Sequence, residues 1–335
     1  MLSGALLTLA LTLGLSPLLL RALRRLQVLD QPTHRSSHTV ATLRGGGLAP
    51  ACAATAMLSG VPVLDPPQRA GLAVVVIGFG AVGLLEDLRG VPPLPRFALQ
   101  LLAAALALPF LLTGLTGPPG WQVVFALAVA VWLVAYANAF NFMDGINGIS
   151  GVQAAVAGLA WFAVGHVQGA HALAAGGLLI AAAAAGFLPF NFPHPRCFLG
   201  DVGSYFFGSW IAALVVVALR SGVPPEAAVA PVLLYLADTG TTLLRRVSHG
   251  EAWYRPHRDH VYQRLVRLGW SHARTTATVG GLTAGCALLG GLGAAAPAGG
   301  RAVAALGLAC ATAAYLALPR LVSASAGEAV PVTDG

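Results

Sequence analysis

The side chains able to do chemistry in this sequence are grouped in five short motifs. The first is HRSSHTVATLRGGG, His34 to Gly47. Arg35 and Arg44 are placed to fork onto phosphate oxygens, and the backbone N–H groups of Gly45, Gly46 and Gly47 can turn toward an anion. A basic loop running into a closely packed, Gly-rich helix start accounts for the same string equally well. The second is the adjacent pair Glu86 and Asp87 in LLEDLRG, where an apolar stretch ends. Neighbouring carboxylates at that position are costly unless they share a cation or a proton, which makes them candidates to hold Mg²⁺ or to act as a base. Solvated helix-end residues are the alternative, although acids at a helix C-terminus oppose the macrodipole.

The third motif is NAFNFMDGINGISG, Asn138 to Gly151. Asn138, Asn141, Asp144 and Asn147 recur at every third position and so share one broad helical face, a richer set than a polar turn requires. The fourth, FLGDVGS, places Asp201 between glycines at the start of an apolar stretch. There it can cap a helix, ligate Mg²⁺ beside a phosphate-binding helix N-terminus, or do both. The fifth lies in LLRRVSHGEAWYRPHRDHVYQRLVRLGW, where His257 and His260 stand beside Arg255 and Arg258. A basic loop on anionic headgroups explains the arginines but not the paired histidines.

What must position these motifs is a membrane protein. Of 335 residues, 57% are apolar and only 9% are charged, with a mean hydropathy of +0.76. Soluble domains carry about a quarter of their residues as charges, so this composition excludes a soluble globular enzyme and equally excludes disorder. Eleven apolar stretches approach the length of a membrane-crossing helix: Leu2–Leu20, Gly45–Leu64, Ala70–Leu85, Phe97–Thr116, Trp121–Ala137, Ile149–Gly165, His171–Pro189, Gly203–Leu219, Ala227–Leu244, Thr275–Leu292 and Ala302–Pro319. The expected fold is therefore an all-α polytopic membrane protein of about eleven spans. Residues 1–320 form one integral membrane domain and 321–335 a short disordered tail. The first stretch reads as a span rather than a cleaved leader, because no basic residue precedes it and no small-residue cleavage site follows. Cys52, Cys197, Cys286 and Cys310 show no CxxC spacing, so neither a disulfide framework nor a zinc site is indicated.

Eleven crossings put sixteen of the nineteen basic residues, all arginine, on one side and leave Arg69, Arg220 and Arg301 on the other. By the positive-inside rule the N-terminus is then periplasmic and the C-terminus cytoplasmic. Most acids and seven of the nine histidines fall on that same cytoplasmic side. Carboxylates, imidazoles and guanidiniums from five connections thus meet at one membrane face, a composite site suited to an anionic, metal-bound substrate.

Taken in order, RSSHxxxxxRGGG, the acidic pair, NFMDGINGISG, FLGDVGS and HRDHVYQRL resemble the polyprenyl-phosphate N-acetylhexosamine-1-phosphate transferases, the membrane superfamily that includes phospho-MurNAc-pentapeptide translocase. The resemblance runs from about Gln31 to Leu268 and is nearest the bacterial branch that initiates O-antigen and related surface polysaccharides. It implies transfer of a sugar 1-phosphate from a UDP-N-acetylhexosamine to undecaprenyl phosphate at the cytoplasmic face of the bacterial inner membrane. UMP is released, and the implied cofactor is Mg²⁺, with Mn²⁺ as a substitute. The implied partners are the two substrates and the lipid bilayer, with no nucleic acid, and a homodimer fits the superfamily.

Carried over by motif, the resemblance makes Asp87 the carboxylate that deprotonates or positions the lipid phosphate, with Glu86 beside it. Asp144 helps hold the nucleotide sugar and its metal, supported by Asn141, and Asp201 is the principal Mg²⁺ ligand. His257, Arg258 and His260 contact the diphosphate or the leaving UMP, and Arg44 and Gly45 to Gly47 lie nearby. Glu86, Asn147 and the HRDH string depart from the family's usual residues. A cation- or proton-coupled transporter is the rival reading. It would place its carboxylates near the bilayer midplane, a depth that only Asp238 approaches.

Overall fold

The computed structural model describes residues 1–30, 41–60, 64–251 and 258–328. Arg35 of the first motif and His257 of the last lie outside the described residues. In chain order the elements are α1 (Leu2–Arg25), the short strands β1 (Leu29–Asp30) and β2 (Thr42–Leu43), α2 (Leu48–Leu58), α3 (Pro66–Arg89), α4 (Pro93–Leu111), α5 (Pro119–Met143), α6 (Ile149–Val167) and α7 (His171–Asn191). There follow α8 (Gly200–Arg220), α9 (Pro225–Val229), a 3-10 turn (Ala230–Val232), α10 (Leu233–Ser248), α11 (Val261–Arg267), α12 (His272–Ala294) and α13 (Ala298–Glu328). Proline opens α3, α4, α5 and α9, where its missing N–H is no loss and its fixed φ suits the first turn.

Among the described residues, ten helical stretches are long and apolar enough to cross a membrane, with α9 to α10 counting as one. The expected second span differs. Its stretch yields only the 11-residue α2, about 17 Å long and short of the roughly 30 Å hydrocarbon core. The chain nevertheless makes the pass. The N–H groups of Gly46 and Gly47 bond to Phe198 and Leu199 just before α8, and Asp87, near the end of α3, bonds to the first turn of α8. Both points lie in one layer, so the chain leaving Gly47 must reach the far end of α3, about 35 Å away, before α3 returns. The expected tail begins in helix, because α13 continues through residues 321–328 to Glu328. Residues such as Ser323 and Ala324 contain no helix breaker, and alanine favours continuation.

The helix α8 is the hub. Its apolar stretch is 94% buried, against 28% for α1 and 22% for α13, and α2, α3, α5, α6 and α7 pack around it. The outer helices present Leu2, Leu6, Leu102, Leu127 and Leu306 outward, as a lipid-facing surface does. Close approach substitutes for the hydrophobic drive that lipid does not supply. At Gly83, α3 crosses α8 so tightly that a Cβ would strike the Asp201 carbonyl.

Alternate connections collect at two opposite faces. One holds the ends of α1, α3, α5, α7, α10 and α13 and the starts of α2, α4, α6, α8 and α12. Every described arginine of the larger set lies there. Arg69, Arg220 and Arg301 lie at the opposite face, bonding respectively to the Leu64 carbonyl, the Leu111 carbonyl and Glu226. The start of α1 and the end of α13 are at opposite faces.

Candidate active site

The site is built on the start of α8. Upstream of it, Phe198 donates to the Leu43 carbonyl at 2.7 Å, and Gly46 and Gly47 donate to the Phe198 and Leu199 carbonyls at 3.0 and 2.8 Å. The glycine run therefore does not cradle an anion with Gly46 and Gly47, whose N–H groups are committed to this ladder. Its role is close packing: a Cβ on Gly47 would run into the Cα of Gly203. Gly45, at φ +96°, turns the chain so that Arg44 faces the first turn of α8.

Arg44 bridges two carboxylates. Its Nε lies 2.6 Å from Asp87 Oδ1 and its Nη2 2.6 Å from Asp201 Oδ2. Burial works against this guanidinium's charge, but Asp201, Asp87 and Asp30 more than offset it and hold the proton more firmly than usual. Asp87 accepts two further bonds, from the backbone N–H groups of Asp201 and Val202, both at 2.9 Å. With its side chain 1% exposed, Asp87 serves as the N-cap that α8 does not obtain from its own preceding residue. Asp201 remains open. Its side chain is 15% exposed, and Oδ1 accepts from Asn141 Nδ2 at 2.7 Å. That amide reaches across from the last turn of α5 and also bonds Ser204 Oγ at 2.8 Å.

Asp201, Arg44 and Asn141 line a cavity of about 290 Å³ shared with Asp30, Asp144, Asn147, Gln263 and His272. Asp144 terminates α5. Burial first, then the charges of Asp201 and Asp87, push its carboxyl up to about 7 in spite of Arg44. Such a carboxyl sits poorly without a nearby cation. Among the described residues no three acids or histidines form a metal cage, but Mg²⁺ does not need one. It is commonly held by one or two carboxylates, waters and the substrate's own phosphates. The oxygen-rich wall around Asp144 and Asp201 fits that requirement. Asp87 does not, since both its oxygens are occupied and sealed.

Several expected residues stand elsewhere. Glu86 does not share a cation with Asp87: adjacent helical positions diverge by about 100°. Glu86 instead accepts from the Val91 N–H at 2.6 Å and faces Arg96 at 3.5 Å, tying α3 to α4. Asn138 points away from the cavity and donates to Gln100 Oε1 at 2.6 Å, so the repeated Asn face splits between α4 and α8. Asn147 lies beyond the helix end, lines the cavity and donates to the Pro193 carbonyl at 3.0 Å. Asn191 braces the same loops, accepting from the Gly148 N–H and donating to the Cys197 carbonyl.

His260 is buried, and its Nδ1 lies 3.0 Å from Asp238 Oδ1. The ring stacks against Phe142 and Tyr262. Asp238 also accepts from the Val261 N–H at 2.9 Å and the Tyr315 hydroxyl at 2.8 Å. This is a carboxylate–histidine dyad rather than a ligand on the cavity surface, and the one acid near the depth a transporter would use is engaged within it. Arg258 is half-buried, close enough to Tyr262 to act on its hydroxyl. Sequence reasoning assigned no role to Asp238, Asn191, Gln263, His272 or Asp30. Only Asp238, a lone acid in an apolar stretch, carried a signal that could have found it.

The fold and site are those of a polytopic helical membrane protein with carboxylates and a guanidinium gathered at one face. Residues 70–219, which hold the Glu86–Asp87 pair, the Asn-rich motif and Asp201, match the profile of glycosyl transferase family 4. It is similar, at 27% identity over 77% of its length and 75% of the relative, to the probable undecaprenyl-phosphate N-acetylglucosaminyl 1-phosphate transferase of Bacillus subtilis. It is 29% identical to the decaprenyl-phosphate N-acetylglucosaminephosphotransferase of Mycolicibacterium smegmatis, over 72% of this chain and 70% of that one. A shorter match, 31% identical over 45% of the chain and 49% of the relative, is to the phospho-N-acetylmuramoyl-pentapeptide-transferase of Streptococcus thermophilus.

Proposed function

We propose that this protein transfers an N-acetylhexosamine 1-phosphate from a UDP-sugar to undecaprenyl phosphate, releasing UMP, as the first membrane step of a surface polysaccharide. The observation that carries the reading is the Arg44–Asp201–Asn141 constellation opening into a cavity beside Asp144 at the arginine-rich face. That distribution of arginine supports a cytoplasmic site and hence a cytoplasmic nucleotide donor. The acceptor's isoprenoid tail belongs in the bilayer, which accounts for a phosphate-handling site at a membrane face.

In the reaction an oxygen of the lipid phosphate attacks the β-phosphorus of the donor, and the bond from that phosphorus to the oxygen bridging to the α-phosphorus breaks. UMP departs with the electron pair. Two anions must approach, so the chain supplies charge and alignment. Asp201 and Asp144 would hold Mg²⁺ together with the donor's diphosphate, and the ion would supply neutralisation of the charge developing on the phosphoryl oxygens. Arg44 fixes Asp201, and Asn141 orients its second oxygen. We read the attack as direct. Asp87 is sealed and fully bonded, and a phosphate monoester with a second pKa near 6 needs no strong base to become a nucleophile at neutral pH.

The test is product formation by membranes bearing the protein, supplied with undecaprenyl phosphate and a panel of UDP-N-acetylhexosamines. A pyrophosphate-linked lipid and UMP should appear with Mg²⁺ and not in its absence. Failure across the whole panel would remove the proposal.

A further inference from the structure

A second cavity, of about 330 Å³, is walled by α10, α11 and α13. Its polar wall comprises Arg245, Arg264 and Arg320 together with Asp238 and Asp259. Both carboxylates are engaged elsewhere: Asp238 by His260, Val261 and Tyr315, and Asp259 by Arg246 at 3.0 Å. Among the described residues the three arginines make no ion pair. Burial, followed by the charges of Arg245, Arg267 and Arg320, weakens the hold of the Arg264 guanidinium on its proton. Like charges gathered around one cavity repel, and an anion placed among them relieves the repulsion.

The surroundings indicate where that anion comes from. Leu316 and Ala317 of α13 form an apolar wall. Leu244, Val247 and Leu321, beside the arginines in sequence, are 72%, 57% and 60% exposed. The cavity therefore lies where the lipid-facing belt gives way to the charged face, the level at which headgroup phosphates reside. From the pairing of unneutralised arginines with an apolar wall, we propose that this cavity binds the headgroup phosphate of an anionic glycerophospholipid, with its acyl chains along α13. It is separate from the Asp201 cavity but shares Asp238 with the dyad that holds His260.

The experiment is native mass spectrometry of the whole purified protein titrated with phosphatidylglycerol or phosphatidylcholine. The wild type should retain phosphatidylglycerol in preference. Arg264→Gln and, independently, Arg320→Gln on the exposed end of α13 should each weaken retention about fivefold. Arg264→Lys, which keeps the charge, should restore most of it. Unchanged retention in both glutamine variants would overturn the proposal. So would equal retention of the two lipids, displacement by millimolar inorganic phosphate, or one-for-one displacement by a polyprenyl phosphate, which would make the cavity part of the acceptor site.

Discussion

Asp87, near the end of α3, caps a helix to which it does not belong: its two carboxylate oxygens accept the N–H groups of Asp201 and Val202, each at 2.9 Å. Asp201, held in this way, turns its own carboxylate, paired with Arg44 and Asn141, toward the cavity. The two aspartates therefore differ in kind, one placing the helix and the other facing the substrate.

Their substitutions should separate accordingly. Asp87→Asn sets an amide N–H against N–H donors and leaves Arg44 without half of its neutralisation. Losing a cap costs about 1 kcal/mol and losing a charge-assisted bond about 2 kcal/mol more. Thermal unfolding in detergent should show a clear drop for Asp87→Asn. Asp201→Asn also loses a pair to Arg44 but keeps the cap and sits at the more exposed end, so it should unfold between Asp87→Asn and wild type while losing UMP release. Equal destabilisation of the two would contradict the division of roles.

Glu86 should prove dispensable for chemistry. It faces Arg96 and the Val91 N–H rather than the cavity, and Glu86→Gln retains an acceptor for that N–H. Turnover should stay within about threefold of wild type, since only a partly exposed ion pair is lost. A loss of a hundredfold or more would return Glu86 to the reacting groups.

At Gly47 a methyl group has nowhere to go. Gly47→Ala pushes α2 from the Cα of Gly203, where the neighbouring atoms are backbone and cannot yield, whereas Gly240→Ala adds a methyl in open space. Overpacking typically costs about 1–3 kcal/mol. The first variant should therefore unfold earlier and show weaker donor binding because Arg44 shifts, and the second should match wild type in both assays.

The carboxylate–histidine dyad should act through position. Tyr315→Phe removes one donor from Asp238 and Asp238→Asn alters the partner of His260 Nδ1. Loss of the outer-shell partner of a metal-ligating histidine costs about 10- to 100-fold, and the lower end of that range is the scale expected for a dyad one layer from the cavity. Asp238→Asn should lower kcat by at least about tenfold with a smaller change in KM for the donor. Tyr315→Phe should fall between it and wild type. A change confined to stability would assign Asp238 to packing alone.

The number of chain passes and the one-sided charge were legible because apolar stretches of span length and the placement of arginine are linear properties. The short α2 was concealed because Gly45 to Gly47 read as the start of an apolar stretch, although Gly46 and Gly47 are consumed in pairing with Phe198 and Leu199. Glu86 and Asp87 looked like one site because adjacency in sequence says nothing about divergence around a helix. Asn138 and Asn141 shared a face correctly, but which neighbouring helix met each depended on tertiary packing. The partner of His260 was hidden for the same reason: Asp238 lies 22 residues away, on another helix. Asp201 stood out as a helix-cap or metal-ligand candidate because it lies between glycines at the start of an apolar run; that it lines the cavity depended on tertiary packing.

The most direct test of the transfer reaction follows the donor's β-phosphate. With UDP-N-acetylglucosamine labelled at that phosphorus, or the donor that proves active in the panel, the lipid product should carry the label and UMP should be released in equal amount, with neither appearing for Asp201→Asn. Release of UDP, with an unlabelled lipid, would mean that the sugar alone is transferred, and would contradict a site built to join two phosphates.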